Sequence, residues 1–594
     1  MRGHRGIKSK TFGFGFRAGE ARRLIGVGSS WSKELEGAGS HPLPIPDILH
    51  LEPRIAPSQD AIGELLELAF LGKEAAKGLD RKMGELEAGD GGWQLDLFAK
   101  DLFIEDLIRT CLTISIDGIR FPVNQNYLYQ VLSHPPITVE AVTFRQQIFR
   151  ELDRDETLCR NAEKLYQELS QLLSMFKSPD HATKLDVNAF RLDLLKQARQ
   201  VIDWMVTGFQ DATSGLRRLH DVGRKFQSSP EYGILVDVLE FDSRLSTLTI
   251  GVGVGGDGQV KHLEILDVAE SEDNRFYRSP LHRIWLRIKI FLLYGYRLSR
   301  KEIVNRLLRD VFLRISPSLT PLVQLVGQLE FYLAGLSFRR LTAERGLETT
   351  LAELDDREPL ELVDVFNPLL LAKEEPVPCT VRSHDSRPIT LITGPNSGGK
   401  TRLLQTIGLT QLLGQSGLWV PAASARLTLM HGMFLSLVET ETADQAEGRL
   451  GRELLRIRNL FKTAGSPSLV ILDELCSGTN PAEGTEIIAM VLRLLDRLDT
   501  VAFISTHYLD FARQLIDDPP VAVLEFLQVE SRQDLTSTYQ FVPGVAETSL
   551  AAATAQRLGV TFDELAALID ERRAADLRQD RSSPAAPKLR VANE

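Results

Sequence analysis

From Leu128 to about Lys225 apolar residues recur three and four positions apart, as in ELSQLLSMF and FRLDLLKQARQVIDWMV. That spacing lines one face of an α-helix and predicts an almost wholly helical stretch. Between His41 and about Arg120, leucine-rich helical patterns alternate with turns such as GDGGW. Around Val236 to Val268 the period changes to two, which predicts strands, and after Arg278 helical spacing returns to about Leu351. From Leu360 onward, short apolar runs alternate with helices and glycine turns, the pattern of an α/β unit. No repeat at solenoid spacing is present. The expected organisation is a disordered basic tail over 1–40, an N-terminal helical segment over 41–120, and a mainly α-helical core over 121–355 with a small β-rich hairpin near 236–268. An α/β domain over 356–575 and a disordered tail over 576–594 complete it.

Length changes this picture little, since 594 residues exceed what one hydrophobic core holds and a multidomain chain is expected. Hydrophobic content of 43% and charged content of 25% are those of a soluble globular protein. The best apolar run, Ile284 to Tyr294, is broken by Arg287 and Lys289, so no membrane span is expected. Cys111, Cys159, Cys379 and Cys476 show neither metal nor redox spacing, which fits a reducing compartment and a cytoplasmic location. Arg2, Arg5, Lys8, Lys10, Arg17, Arg22 and Arg23 crowd the N-terminus, as in a transit-like leader, a flexible basic tail or an over-extended start codon. A formal charge of −11 argues against bulk coating of nucleic acid but leaves room for a local basic track.

The chemistry concentrates in the α/β part. PITLITGPNSGGKTRLL holds G-x-x-x-x-G-K-[ST] from Gly394 to Thr401, through Pro395, Asn396, Ser397, Gly398, Gly399 and Lys400. Such glycines let backbone N–H groups close around phosphate oxygens; the lysine reaches the β and γ phosphates and the threonine hydroxyl ligates Mg²⁺. The buried-strand pattern before the loop and the helix pattern after it are the context this chemistry needs, because a helix N-terminus favours anions. Further on, SLVILDELCSGTN places Asp473 at the end of an apolar run to hold Mg²⁺, with Glu474 beside it to polarise water. A third apolar run, TVAFIST, ends before His507, which is suited to contact or sense a γ-phosphate. Open α/β sheets bind ligands at these carboxyl ends.

Together, TGPNSGGKT, GLWVPA, LVILDELCSGTNPAEG and STHY resemble the ATPase domain of MutS-family proteins. The resemblance is strong from about Val363 to Ile516, weaker through VPGVAETSLAAATAQRLGV, and upstream only architectural, where SHPPITVEAVTFRQQIFREL looks like the start of the family's core and lever. It implies an ABC-type P-loop ATPase domain in a homodimer that sandwiches ATP and Mg²⁺, each partner supplying a signature loop to the other's site. The hairpin would then be the family's DNA clamp. The chain departs from the pattern in three places. The stretch before residue 120 is short and leucine-rich, without a Phe-x-Glu mismatch wedge. No small nuclease domain is expected at its C-terminal end. In ADQAEGRLGRELLRIRNLF, Leu450 stands where the family usually has serine. Leu450, Leu454, Ile457 and Phe461 form a helical apolar stripe, so Leu450 is expected to pack, leaving Gly448, Arg449 and Gly451 to offer N–H groups or a cation.

Two further features bear on DNA. GVGVGGDGQ contains a G-x-G-x-x-G from Gly251 to Gly256, but an alternating segment follows rather than a helix, so a hairpin turn is expected and no dinucleotide site. Its flanks carry Glu240, Asp242, Glu264, Asp267, Glu270, Glu272 and Asp273, which repel phosphate; the clamp reads as a remnant. By contrast, residues 275–314 are dense in base: Arg283, Arg287, Lys289, Arg297, Arg300, Lys301, Arg306, Arg309 and Arg314 are interleaved with Trp285, Tyr294 and Tyr296. That stretch is either a DNA track or a solvated helix face bridged to the acids upstream. Two functions follow: an ATP-driven clamp on mismatched, damaged or branched DNA in repair or recombination, or an ATP-dependent scaffold that grips a protein.

Overall fold

The computed structural model of the chain describes residues 48–51, 59–71, 78–83, 93–94, 97–177, 187–243, 247–254, 260–269, 300–395, 398–437, 449–463, 465–476, 479–532, 536–547 and 559–582. The expected tail over 1–40 and most of the basic stretch lie outside them. The first half is helical: α1 (Gln59–Phe70), α2 (Leu79–Met83), α3 (Ile104–Thr110), α4 (Gln125–Ser133), α5 (Val139–Arg154), α6 (Glu156–Lys177), α7 (Val187–Gly208), α8 (Arg217–Gln227) and α9 (Pro230–Ser243). Polar residues cap the starts of two of these helices. The Asn124 side chain accepts the Tyr127 N–H at α4, and Asp155 accepts the Thr157 and Leu158 N–H groups at α6. The long helix α10 (Arg300–Ala343) runs along α1, α6, α7 and α9. Its apolar face supplies the centre of the helical core, where Phe312 stacks on Phe70 at 3.9 Å between ring centroids and Phe331 meets Phe149 and Tyr332.

Two short-range expectations shift. A hairpin, β1 (Ile114–Ile116) and β2 (Ile119–Phe121), closes the N-terminal segment that read as helical. The Asp117-Gly118 pair at its turn takes positive φ at both positions, the geometry that a two-residue hairpin loop requires. The change to period two begins later than Val236, because Leu235 and Leu239 are buried one helical turn apart and keep α9 helical to Ser243. The antiparallel strands β3 (Thr247–Val254) and β4 (Val260–Ala269) then follow. Gly251 and Gly253 lie within β3 opposite Glu264 and His262, and a strand follows them, not a helix.

The second half begins with β5 (Thr350–Leu351), β6 (Glu353–Leu354), β7 (Glu361–Val365) and β8 (Cys379–Arg382). Its main elements are β9 (Ile389–Thr393), α11 (Lys400–Gln415), β10 (Trp419–Val420), β11 (Ser424–Leu427), β12 (Gly432–Ser436), α12 (Arg449–Thr463), β13 (Ser468–Leu472), α13 (Pro481–Arg497), β14 (Val501–Ser505) and α14 (Leu509–Asp517). The last are β15 (Leu524–Ser531), β16 (Ser537–Pro543) and α15 (Phe562–Ser582); α15 reaches past residue 576, where a disordered tail was expected to begin. One six-stranded sheet runs β12-β13-β14-β9-β15-β16, parallel except for the edge strand β16. A smaller mixed sheet, β6-β11-β7-β8, stands beside it.

The continuous apolar runs of β9, β13 and β14 have a direct cause: both faces of the sheet are covered. Leu469, Ile471 and Phe503 join the core that contains α11 and the helical half, whereas Val470, Leu472, Ala502 and Ile504 pack with residues of α12, α13 and α14. The two halves share one core, and polar bonds cross their junction. Buried Arg145 of α5 donates to the Ser416 carbonyl at 2.8 Å, at the end of α11. Gln415 donates to the Pro136 carbonyl at 2.9 Å, and Arg339 of α10 lies 3.8 Å over the Trp419 ring while pairing with Asp153. Among the described residues no helix is long and apolar enough to cross a membrane.

Candidate active site

β9 delivers the chain to Gly394 with φ 138°, and Gly399, with φ 87°, caps α11. Both conformations lie where a Cβ is disfavoured, and a Cβ on Gly394 would sit 2.7 Å from the Val529 Cγ2 of neighbouring β15. The loop therefore folds tightly over the sheet because glycine lets it. Gly398 is buried there too, while Asn396 and Ser397 lie outside the described residues. Lys400, the first residue of α11, is buried, and its Nζ donates to the Gly394 and Pro395 carbonyls at 2.9 and 3.1 Å. Burial pulls its pKa below the ordinary lysine value, opposed by the Glu474 and Asp473 carboxylates. Its ammonium stands 3.8 Å from Glu474 Oε1.

The neighbouring oxygens come from two separated strands. Thr401 Oγ1 donates to Asp473 Oδ2 at 2.5 Å, joining the start of α11 to the end of β13. The Ser505 hydroxyl, at the end of the intervening strand β14, donates to Asp473 Oδ1 and accepts the Glu474 N–H at 2.8 Å. Two hard oxygen donors on adjacent side chains, one a carboxylate, fit a small divalent cation such as Mg²⁺. His507 follows two residues after Ser505. The Thr506 N–H donates to the Ile392 carbonyl at 3.0 Å, which sets this segment beside the strand that enters the loop. The His507 ring lies 4.1 Å from that of Tyr508 and lines an open cleft of about 630 Å³ with Pro481, Phe511 and Arg513.

The structure thus joins Thr401 to Asp473 and sets Lys400 beside Glu474, while His507 lies two residues past the end of β14 and lines a cleft with Pro481, Phe511 and Arg513 rather than with those four. Leu450 is half-buried against the core cluster of Ile457 and Leu460, with Phe461 beside it; Leu454 is exposed and leaves the expected stripe, and Leu460 takes its place. Gly448 and the Arg449 side chain are outside the described residues. Of the basic stretch, Arg309 is paired with Glu67 at 3.1 Å, while Arg300, Lys301 and Arg306 sit in α10 with their side chains outside the description.

Four side chains escaped the sequence reading. Ser505 bridges two strand ends; Glu453 accepts the Cys476 N–H at 2.9 Å; Tyr508 Oη donates to the Cys476 carbonyl at 2.8 Å. Tyr539 of β16 is exposed, with φ 59°, and its ring faces Gly399, 3.2 Å from where a Cβ would lie. Ser505 and Tyr508 lie within the STHY run, from which only His507 was given a role; Glu453 and Tyr539 were singled out by no motif.

Residues 390–566 match the family model of MutS domain V. The chain is 30% identical over 295 residues to an Endonuclease MutS2 of Streptococcus thermophilus, covering 49% of this chain and 36% of that protein. Over 197 residues it is 34% identical to an Endonuclease MutS2 of Agathobacter rectalis, covering 33% of this chain and 24% of that one. A third, from Ligilactobacillus salivarius, is 28% identical over 270 residues, 44% of this chain and 33% of the relative. The chain therefore spans about a third or less of the length of these relatives.

Proposed function

We propose, for a chain whose domain V makes it a member of the MutS family, an ATP-driven switch: an ATPase that closes as a homodimer on nucleotide and grips DNA. The observation that carries the reading is the convergence of Lys400, Thr401, Asp473 and Glu474 at the carboxyl ends of β9 and β13. Lys400 neutralises the β and γ phosphates, whose other oxygens accept from backbone N–H groups of the glycine loop. Thr401 and Asp473 would hold Mg²⁺, which when bound supplies positive charge to the phosphate oxygens. Glu474 accepts the proton of the attacking water, and His507 hydrogen-bonds the γ-phosphate. Tyr539, exposed beside Gly399, offers the nucleotide base an aromatic face. Leu450 brings no hydroxyl to the partner's nucleotide, so any contact from the start of α12 falls to backbone N–H groups or to Arg449.

The DNA arm rests on the composition of residues 275–314 and on relatives named as endonucleases. A second reading, a scaffold that grips a protein, is favoured by one observation: the described cation of that stretch, Arg309, already faces Glu67. Duplex, mismatched and four-way DNA titrated with and without ATP at several salt concentrations separates them. If the stretch tracks phosphates, reversing Arg297, Arg300 and Lys301 to glutamate lowers affinity for all sequences alike and flattens the log–log salt slope by up to about three, with ATPase activity intact. Unchanged DNA binding by the folded triple variant favours the scaffold. Discrimination of a single mismatch is expected to stay below about tenfold, roughly 1.4 kcal/mol, on the sequence expectation that the stretch before residue 120 carries no Phe-x-Glu wedge.

A further inference from the structure

The turn after β13 takes positive φ at two residues that carry a Cβ, Glu474 at 47° and Cys476 at 60°. The left-handed region disfavours such residues, so the turn persists because its surroundings over-determine it. Three side chains from outside hold it. Ser505 takes the Glu474 N–H, Tyr508 holds the Cys476 carbonyl, and Glu453 takes the Cys476 N–H at 2.9 Å. Cys476 is fully buried, so an N–H that lost this acceptor would have to move the turn to find another. Of the three, Glu453 alone comes from α12. It sits between that helix's first turn, with Leu450 and Gly451, and an anchor one turn on, where Arg456 meets the buried carboxylate of Asp101 at 3.2 Å. The same Asp101 carboxylate accepts the Leu437 N–H at the end of β12.

We propose that Glu453 is a positioning residue for Glu474: it holds the Cys476 peptide so that the Glu474 carboxylate keeps its orientation, and it ties the partner-facing end of α12 to the hydrolytic carboxylate of its own subunit. This rests on the reading of Glu474 as the group that polarises water. A shift of α12 when two copies close on nucleotide is thereby felt at Glu474 through one hydrogen bond, without change at Lys400 or the glycine loop. The link is carried by an acceptor oxygen, so a side chain of the same length that still accepts keeps it.

The test is steady-state ATP hydrolysis and nucleotide binding by the full chain and its variants. Glu453→Ala is expected to lower kcat about tenfold or more with KM for ATP changed less than about twofold, while Glu453→Gln, whose Oε1 still accepts, stays within about threefold of the parent. Cys476→Gly accepts positive φ freely and is expected to restore part of the kcat lost in Glu453→Ala. Should Glu453→Ala fail to fold, Glu453→Met, which keeps the length of the side chain but offers no carboxylate oxygen, carries the same contrast against Glu453→Gln. A folded Glu453→Ala protein at parental kcat overturns the proposal, and so does a Gln variant as slow as the Ala variant. A rise in KM at constant kcat overturns it too. A parent that binds no ATP fails at an earlier point, since it sinks the ATPase reading before any variant is compared.

Discussion

The loop after β9 and the turn after β13 stand at the same end of one sheet, with β14 between them, and they reach positive φ by opposite means. The loop uses Gly394 and Gly399; the turn uses Glu474 and Cys476. The loop's proposed task falls to backbone N–H groups, for which a side chain is an obstruction, and the Val529 methyl leaves no room for one at Gly394. On the proposed role of Glu474 the turn must present a carboxylate, which excludes glycine there, and the conformational cost, about 1–2 kcal/mol per left-handed residue, stays in the structure. Hydrogen bonds between the turn and Ser505, Tyr508 and Glu453, about 1 kcal/mol each net, offset it. A turn that needs its side chain is held from outside, and one that needs its backbone holds itself.

The largest effects should come from exchanging the two chemistries. Lys400→Ala is expected to abolish ATP binding, whereas Glu474→Gln keeps the shape and should bind nucleotide normally while hydrolysis falls about a hundredfold or more. Titration with a fluorescent nucleotide beside a phosphate-release assay decides it; a Glu474→Gln protein that hydrolyses at the parental rate removes Glu474 from its role.

An intermediate effect is expected from exchanging residue types at the strained positions. Gly394→Ala introduces a Cβ 2.7 Å from Val529 at φ 138° and should cost about 1–3 kcal/mol. Cys476→Gly relieves a left-handed residue but adds freedom to the unfolded chain, so its stability should stay within about 1 kcal/mol of the parent. Urea midpoints of the two variants test the asymmetry; equal losses would mean that the turn is not strained.

The smallest effect concerns protons. Burial first, and Glu453 second, push the Cys476 thiol up to about 11 from 9.0, and burial pushes Cys111 up to about 11 and Cys379 to about 12. In each case the folded chain keeps its proton to higher pH than the unfolded chain. Stability from these groups is therefore complete below about pH 9 and declines as pH rises toward 11–12. Alkylation of the native protein at pH 8 should be slow at these three thiols and become fast in denaturant. Rapid modification of native Cys476 would mean that the turn opens readily.

What was legible in the sequence was local. The strand β9, the loop and α11 follow from adjacent residues whose spacing carries both the fold and the proposed chemistry, and Asp473 and Glu474 likewise stand at the end of an apolar run that forms β13. The period-two reading failed over residues 236–243 because α9 packs there on α10, a partner far along the chain. Leu454 was placed on the packed stripe of α12 by spacing alone, and the sheet chose Leu460 instead.

The sequence by itself therefore supplied the candidates for phosphate, cation and water, since glycine, lysine, threonine and carboxylate chemistry belongs to the residue and its neighbours. Only the tertiary structure decided which side chains hold those groups in place. Ser505 reaches Glu474 across 31 positions, Glu453 reaches Cys476 across 23, and Gly399 lies against Tyr539. The physical reason is that a hydrogen bond is set by distance in space, and strand order in the sheet, which no local pattern encodes, brings those atoms together.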